Sequence, residues 1–317
     1  MDEKIEERII DSRQYNLPVK KSLLALTACL YVLMFAYALS FTIIGPLIPI
    51  FLKQYNISFS QGGLITLYQG IGGVISISLG VMFADIFRRS VLIKTAFGVY
   101  CVSVILVALL PSYTVLLILF FLIGASTRMV DTILNVYIAN IHPNRRGFFL
   151  NLLHACFGVG ALLGPVLSTA FLNAGVQWNI IFFVLGCFCI MILFAYTLIQ
   201  NRIQEEKEKH AIFKIGMIIN FLKNKNILLL SILCFLYVGF VSASSTWMPT
   251  YFTQQLNIQT AFISLPVSAL WIGVIVGRLV YSVLSLKHKI KNLILYSNLL
   301  AGIIMLMATF INSMVFL

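Results

Sequence analysis

Nine apolar segments alternate with short polar connections along the chain. They run at roughly 22–52, 62–84, 91–111, 114–141, 147–173, 178–200, 226–252, 261–285 and 292–312. Each has about the 20 residues that a helix needs to cross a bilayer, so the pattern predicts an all-α membrane protein with nine spans. The longest segments allow tilt or kinks. Pro46 and Pro49 interrupt the first near its far end.

Charge sorts the connections into two sets. Lys4, Arg8, Arg13, Lys20 and Lys21 precede span 1, and Arg88, Arg89 and Lys94 follow span 2. Arg145 and Arg146 follow span 4. Six more basic residues lie between Arg202 and Lys225, and Lys287, Lys289 and Lys291 follow span 8. The connections of the opposite side carry only Lys53. This asymmetry predicts that the N-terminus and the basic loops face the cytoplasm, in a multi-pass protein of the cell membrane.

The organisation expected from these features is a cytoplasmic tail at 1–21, a six-helix bundle at 22–200 and a cytoplasmic loop at 201–225. A partial second bundle follows at 226–317, holding spans 7–9 and, from Met314, the start of a tenth. Six spans followed by a long charged loop is the plan of two six-span halves. On that plan the chain is expected to be C-terminally truncated.

Composition narrows the class. The 317 residues are 60% hydrophobic and 10% charged, with mean hydropathy +0.99, against roughly 25% charged in soluble domains. The net charge of +12 comes from loops beside spans, not from a nucleic-acid-binding surface. The six cysteines (29, 101, 156, 187, 189, 234) lie in apolar segments without metal-ligand spacing. No nucleotide-binding loop, metal set or nucleophile constellation is present. The sequence therefore predicts no enzyme, no cofactor and no ATP-driven pump, and a monomer whose partners are a small solute, protons and the bilayer.

Within this apolar background one face stands out. Arg128, Asp131 and Asn135 are spaced i, i+3, i+7 and project from one side of span 4. Asp131 is the one acidic residue placed well inside a span, where a charge costs about 2.5–3.5 kcal/mol on insertion scales. Asp131 either alternates between Arg128 and a proton or forms a static ion pair that fixes packing. His154, with Asn151 and Gly158 on its face of span 5, is either a relay or a packing group. Cys156, Gly160 and Gly164 on the same helix make a small-residue packing stripe. Gln69, Gly73, Ser76 and Gly80 make a comparable stripe on span 2, in which Gln69 serves a solute or a neighbouring helix. Tyr237, Trp247 and Trp271 are candidate platforms for a ring-shaped solute. Trp271 and Arg278 share a face of span 8, and Arg278 is a second possible partner for Asp131.

Several motifs carry a family resemblance. Span 2 ends Gly80-Val-Met-Phe-Ala-Asp85-Ile-Phe-Arg88-Arg89. Spans 4 and 5 read Asp131, Asn135, then Asn140-Ile-His-Pro-Asn-Arg145-Arg146-Gly147, then Asn151-Leu-Leu-His154 and Gly158-Val-Gly160-Ala-Leu-Leu-Gly164-Pro165. Span 7 reads Tyr237-Val-Gly239 through Trp247-Met-Pro249, and span 8 reads Trp271-Ile-Gly273 through Gly277-Arg278. Together these resemble the major facilitator superfamily, and within it the fucose permease-like branch of sugar–proton symporters. The departures are Val81 and Arg88 where glycines are expected, Val241 where a glutamate is frequent, and no Asp or Glu between Lys21 and Lys53. The resemblance implies alternating-access transport of a small polar organic solute, with a sugar favoured. It implies a cytoplasmic latch at Asp85 and Arg89, to which Arg278 adds a possible gating contact. Proton coupling is expected through Asp131, Arg128 and His154, and solute contacts from Gln69, Asn135, Asn151, Tyr237 and Trp271. A proton-driven exporter of amphipathic compounds, or a non-transporting remnant or solute sensor, would fit the same chain.

Overall fold

Segments this long and apolar satisfy their backbone polar groups in a bilayer only by winding into helices, and the computed structural model shows nine of them among the described residues. It describes residues 20–84, 86–203, 223–256, 259, 262–284 and 290–310. The helices are α1 (Lys20–Gln54), α2 (Phe59–Ala84), α3 (Arg89–Ala108), α4 (Tyr113–Ile141), α5 (Arg146–Asn173), α6 (Trp178–Gln200), α7 (Lys225–Gln254), α8 (Leu265–Leu284) and α9 (Ile290–Phe310). They occupy the nine expected spans. Among the described residues six of them, α1 and α3–α7, are long and apolar enough to cross a membrane. Pro46, Pro49, Pro165 and Pro249 all lie inside helices. Residues 1–19 of the expected tail at 1–21 and most of the loop at 201–225 lie outside the described residues, while Lys20 and Lys21 open α1.

The chain divides into two compact units, Met1–Leu270 and Trp271–Leu317. In the first, α1 runs through the centre and is the most buried of the six spanning helices. It packs on α5 and α6, while α2 packs on α4, and α3 on α4 and α6. The core between them is apolar, from Leu30, Leu33 and Met34 through Phe51 to Phe97, Tyr100 and Phe182.

Two of these seams are backbone against backbone. A Cβ on Gly72 would overlap the carbonyl oxygen of Phe121, and one on Gly124 would overlap that of Gln69. Gly160 and Gly164 bring α5 onto α1 in the same way, against the carbonyls of Phe35 and Leu39. Small residues allow this in a bilayer, where close van der Waals packing replaces the hydrophobic effect as the force between helices. Gly73 and Gly80 of the stripe expected on span 2 face α4 side chains, Arg128 and Met129, beside the α2–α4 seam, and Gly160 and Gly164 of the stripe expected on span 5 form the α1–α5 seam.

Both ends of the bundle are tied by polar side chains. At the Gln54 end of α1, Trp178 Nε1 donates to Gln54 Oε1, the Tyr55 hydroxyl to Pro111 O (3.0 Å) and the Tyr113 hydroxyl to Gln61 O (2.7 Å). At the basic end, the His142 ring stacks on Phe149 with centroids 3.5 Å apart. Its Nε2 lies 2.9 Å from Thr27 Oγ1. The Thr27 hydroxyl also lies 2.9 Å from Leu23 O. Oriented with its oxygen toward the guanidinium, the Asn140 amide accepts from both terminal nitrogens of the buried Arg89, at 2.7 and 2.9 Å. Asn140 sits in the last turn of α4, where the carbonyl end of the helix dipole favours a cation.

α7 meets the bundle through one half only. Val241, Ser245, Pro249 and Thr250 are buried. Gly45 of α1 lies against the Ser245 carbonyl and the Pro249 ring, and Gly63 of α2 against Trp247. From Leu228 to Phe240 every residue of α7 is exposed. In the second unit, Trp271 is buried (4% exposed) and α9 presents Leu295, Tyr296, Leu299 and Ile303 outward.

Candidate functional site

The face expected on span 4 forms as a cluster. α4 carries Arg128, Asp131 and Asn135 on a half-buried strip. Asn135 Nδ2 donates to the Asp131 backbone carbonyl at 2.8 Å and to its Oδ1 at 3.2 Å, one turn away. That holds the carboxylate in a fixed rotamer. Arg128 Nη1 lies 3.7 Å from Asp131 Oδ2, an ion pair looser than a hydrogen bond. The guanidinium sits over the Phe41 ring, 5.6 Å from its centroid, a cation–π contact worth about 0.5–2 kcal/mol according to its desolvation.

The rest of the cluster comes from α1, α2 and α5. Phe157 of α5 packs against both Tyr37 and Phe41 of α1, with ring centroids 5.3 and 6.1 Å apart. Gly73 of α2 leaves room for the arginine stem; a Cβ there would lie 2.8 Å from Arg128 Cγ. His154 is half-buried and within electrostatic reach of Asp131, as is the Tyr37 hydroxyl. One carboxylate, one guanidinium, an imidazole and three aromatic rings thus share one place in the membrane part of the bundle. No group of three or more His, Cys, Asp or Glu that could hold a metal occurs among the described residues.

The other expected residues lie elsewhere. Gln69 is half-buried, with its backbone in the α2–α4 seam against Gly124. Asn151 is exposed on α5, and Tyr237 is 51% exposed on the outward half of α7. Trp271 belongs to the second unit. Arg89 clasps Asn140 as described. Asp85 and the Arg278 side chain lie outside the described residues. Tyr37, Phe41 and Phe157 are the additions that the sequence did not point to. Their only signal is aromatic bulk in spans 1 and 5, which becomes informative once those helices are known to flank α4.

A cleft of about 600 Å³ opens between α2 and α7, beside this cluster and not within it. Leu67, Ile71, Val74 and Trp247 line it, with Thr66, Ser242 and Thr246 as its hydroxyl groups.

The comparisons with known proteins agree with this architecture. The glucose/mannose transporter GlcP of Bacillus subtilis (strain 168) is 22% identical over 279 residues, covering 83% of this chain and 68% of GlcP. A protein TsgA homolog of Buchnera aphidicola subsp. Schizaphis graminum is 25% identical over 256 residues, covering 78% of this chain and 64% of the homolog. Among solved structures, a bacterial homolog of the human lysosomal transporter Spinster, inward-facing and unoccupied, superposes with a TM-score of 0.66 at 13% identity. The match covers 81% of this chain and 61% of that one. A D-xylose–proton symporter superposes with a TM-score of 0.58 at 18% identity, over 80% of this chain and 66% of that one. The chain thus spans about two thirds of the length of these relatives. The profile of the Major Facilitator Superfamily matches residues 30–317. With nine apolar helices among the described residues and this fold, the chain belongs to the Major Facilitator Superfamily, a family of membrane transporters and not of enzymes.

Proposed function

We propose that the protein moves a small polar organic solute, with a sugar favoured, across the cell membrane by alternating access, in symport with protons. The observation that carries this reading is the Arg128–Asp131–Asn135 cluster. A carboxylate in the membrane beside a loose guanidinium can exchange its cation for a proton, which a pair locked by short hydrogen bonds could not do cheaply. The names of GlcP and of the xylose–proton symporter support a sugar and a proton. The way α7 touches α1 and α2 supports alternating access. The helices meet at the Gln54 end, through Gly45 and Gly63, and α7 runs exposed toward the basic end. If the basic loops face the cytoplasm, as their charge suggests, this contact supports a state closed outward and open inward.

The test is uptake and counterflow of labelled hexoses in proteoliposomes. Asp131→Asn is expected to abolish accumulation driven by a pH gradient while leaving solute exchange. Unchanged accumulation in that variant would make Asp131 structural.

A second reading, proton-driven export of amphipathic compounds, is favoured by the apolar α2–α7 cleft with Trp247 at its side. Efflux of a lipophilic cation without any hexose accumulation would select it.

A further inference from the structure

The transport reading uses the charge of Arg128 beside Asp131 and leaves its hydrogen-bonding fork unused. A guanidinium has five N–H donors in a planar fork. Among the described residues none of them reaches an acceptor within hydrogen-bond distance. The Asp131 carboxylate stands 3.7 Å off and is held by Asn135, and the Phe41 ring offers only its face. Buried polar donors are ordinarily satisfied, and a helix in a membrane has no bulk water to satisfy them. The side chain is nonetheless 34% exposed, so the fork is open to an incoming group. Phe41 lies under it, with Phe157 packed against that ring and Tyr37 against Phe157, and Asn135 lies two turns along the same helix face. Both amide hydrogens of Asn135 go to Asp131, which leaves its own oxygen free to accept.

We propose that Arg128 is the receptor for a carboxylate on the transported solute. The substrate class is a small organic carboxylate with a hydroxylated, ring-sized body, such as a hexuronate. The fork matches a carboxylate with two parallel N–H···O bonds, the strongest and most directional pairing available to it. The apolar face of a sugar-like ring packs on the three aromatic rings, and a hydroxyl donates to Asn135 Oδ1. A neutral hexose could offer only single, uncharged hydroxyl acceptors to the guanidinium. This inference deepens the transport reading given above and rests on it for the word "transported"; the binding claim stands apart.

The test compares D-galacturonate with D-galactose, which differ only by a carboxylate in place of CH2OH. Binding to the full chain in lipid nanodiscs is measured by titration calorimetry at neutral pH. Galacturonate is expected to bind at least about tenfold more tightly than galactose. Arg128→Gln is expected to bring that ratio to about one. Arg128→Lys keeps the charge without the fork and is expected to give an intermediate ratio; helicity and monodispersity of both variants show that they fold. Equal affinities in the unsubstituted protein, a ratio that survives Arg128→Gln, or no binding of either compound would overturn the proposal. Galacturonate bound with the expected ratio but never accumulated in vesicles would remove the transport reading and uphold the carboxylate site. Galactose accumulated by a protein that binds no galacturonate would do the reverse.

Discussion

At the scale of single residues, the charged face was legible and its surroundings were not. Spacing alone places Arg128, Asp131 and Asn135 together, because an α-helix fixes which residues share a side. Nothing local could reveal that Asn135 clamps Asp131 while Arg128 leans away over Phe41, since that depends on where α1 passes. Asn140 is a similar case. Its sequence neighbourhood marks a helix end, yet its partner, Arg89, lies on another helix. His142, at the α4–α5 connection, supplies a residue-level prediction. Burial holds its pKa below the ordinary 6.5, so the folded protein resists protonation there more than the unfolded chain does. Stability from this residue is complete above about pH 6.5 and is lost as pH falls toward the depressed folded value. Thermal denaturation between pH 8 and pH 5 is expected to show a midpoint that declines below about pH 6.5. The decline should be shallower in His142→Gln, and an identical slope in that variant would assign the pH dependence to other groups.

Among elements, the two glycine seams decide how rigid the bundle is. The α5–α1 seam was readable as the stripe of Gly160 and Gly164; of the α2–α4 seam only its side-chain contacts, at Gly73 and Gly80, were, since Gly72 lay outside the expected stripe. Which helix each would meet was not readable, because any neighbouring helix can fill such a groove. Gly124 lay in the charged span and offered no stripe of its own, although it makes the tightest approach to Gln69. Gly124→Ala places a methyl group where the Gln69 carbonyl now sits. It is expected to cost about 1–3 kcal/mol or to part α2 from α4. Gly70→Ala, on the open face of the same helix α2 with nothing within 4 Å, is the matched control. A melting midpoint lowered by several degrees at 124 and unmoved at 70 is the expected outcome. Equal effects would mean that the seam is looser than its geometry.

For the whole molecule, the spans, their number and the superfamily follow from hydropathy and motif, because a bilayer leaves the backbone few alternatives. The conformation does not follow from them. The proposed alternating access would give one sequence two arrangements of similar free energy, distinguished by contacts such as Gly45 with Ser245. Cysteine accessibility reads that contact directly. With the six native cysteines replaced, Ser245→Cys is expected to resist a membrane-impermeant maleimide, and Ser242→Cys, beside the open cleft, to react. Solute that turns the protein outward should raise the reactivity of position 245 several-fold. Reactivity there that is high from the start and indifferent to solute would remove α7 from the gate.

The central position of α1 has a consequence in time. Its seams close with residues that leave the ribosome much later. Thr27 waits for His142, 115 residues on, and Gln54 waits for Trp178, 124 residues on. At roughly 5–20 residues per second that delay is on the order of ten seconds, during which the most buried helix of the finished bundle faces lipid or the insertion machinery. Three of its hydroxyl groups are already provided for. Thr27 donates to Leu23 O, Ser40 to Tyr37 O and Thr42 to Ala38 O, all within α1. During that wait Thr27, Ser40 and Thr42 need no neighbour, whereas Tyr31, which later donates to Phe149 O, and Gln54, which later accepts from Trp178, do.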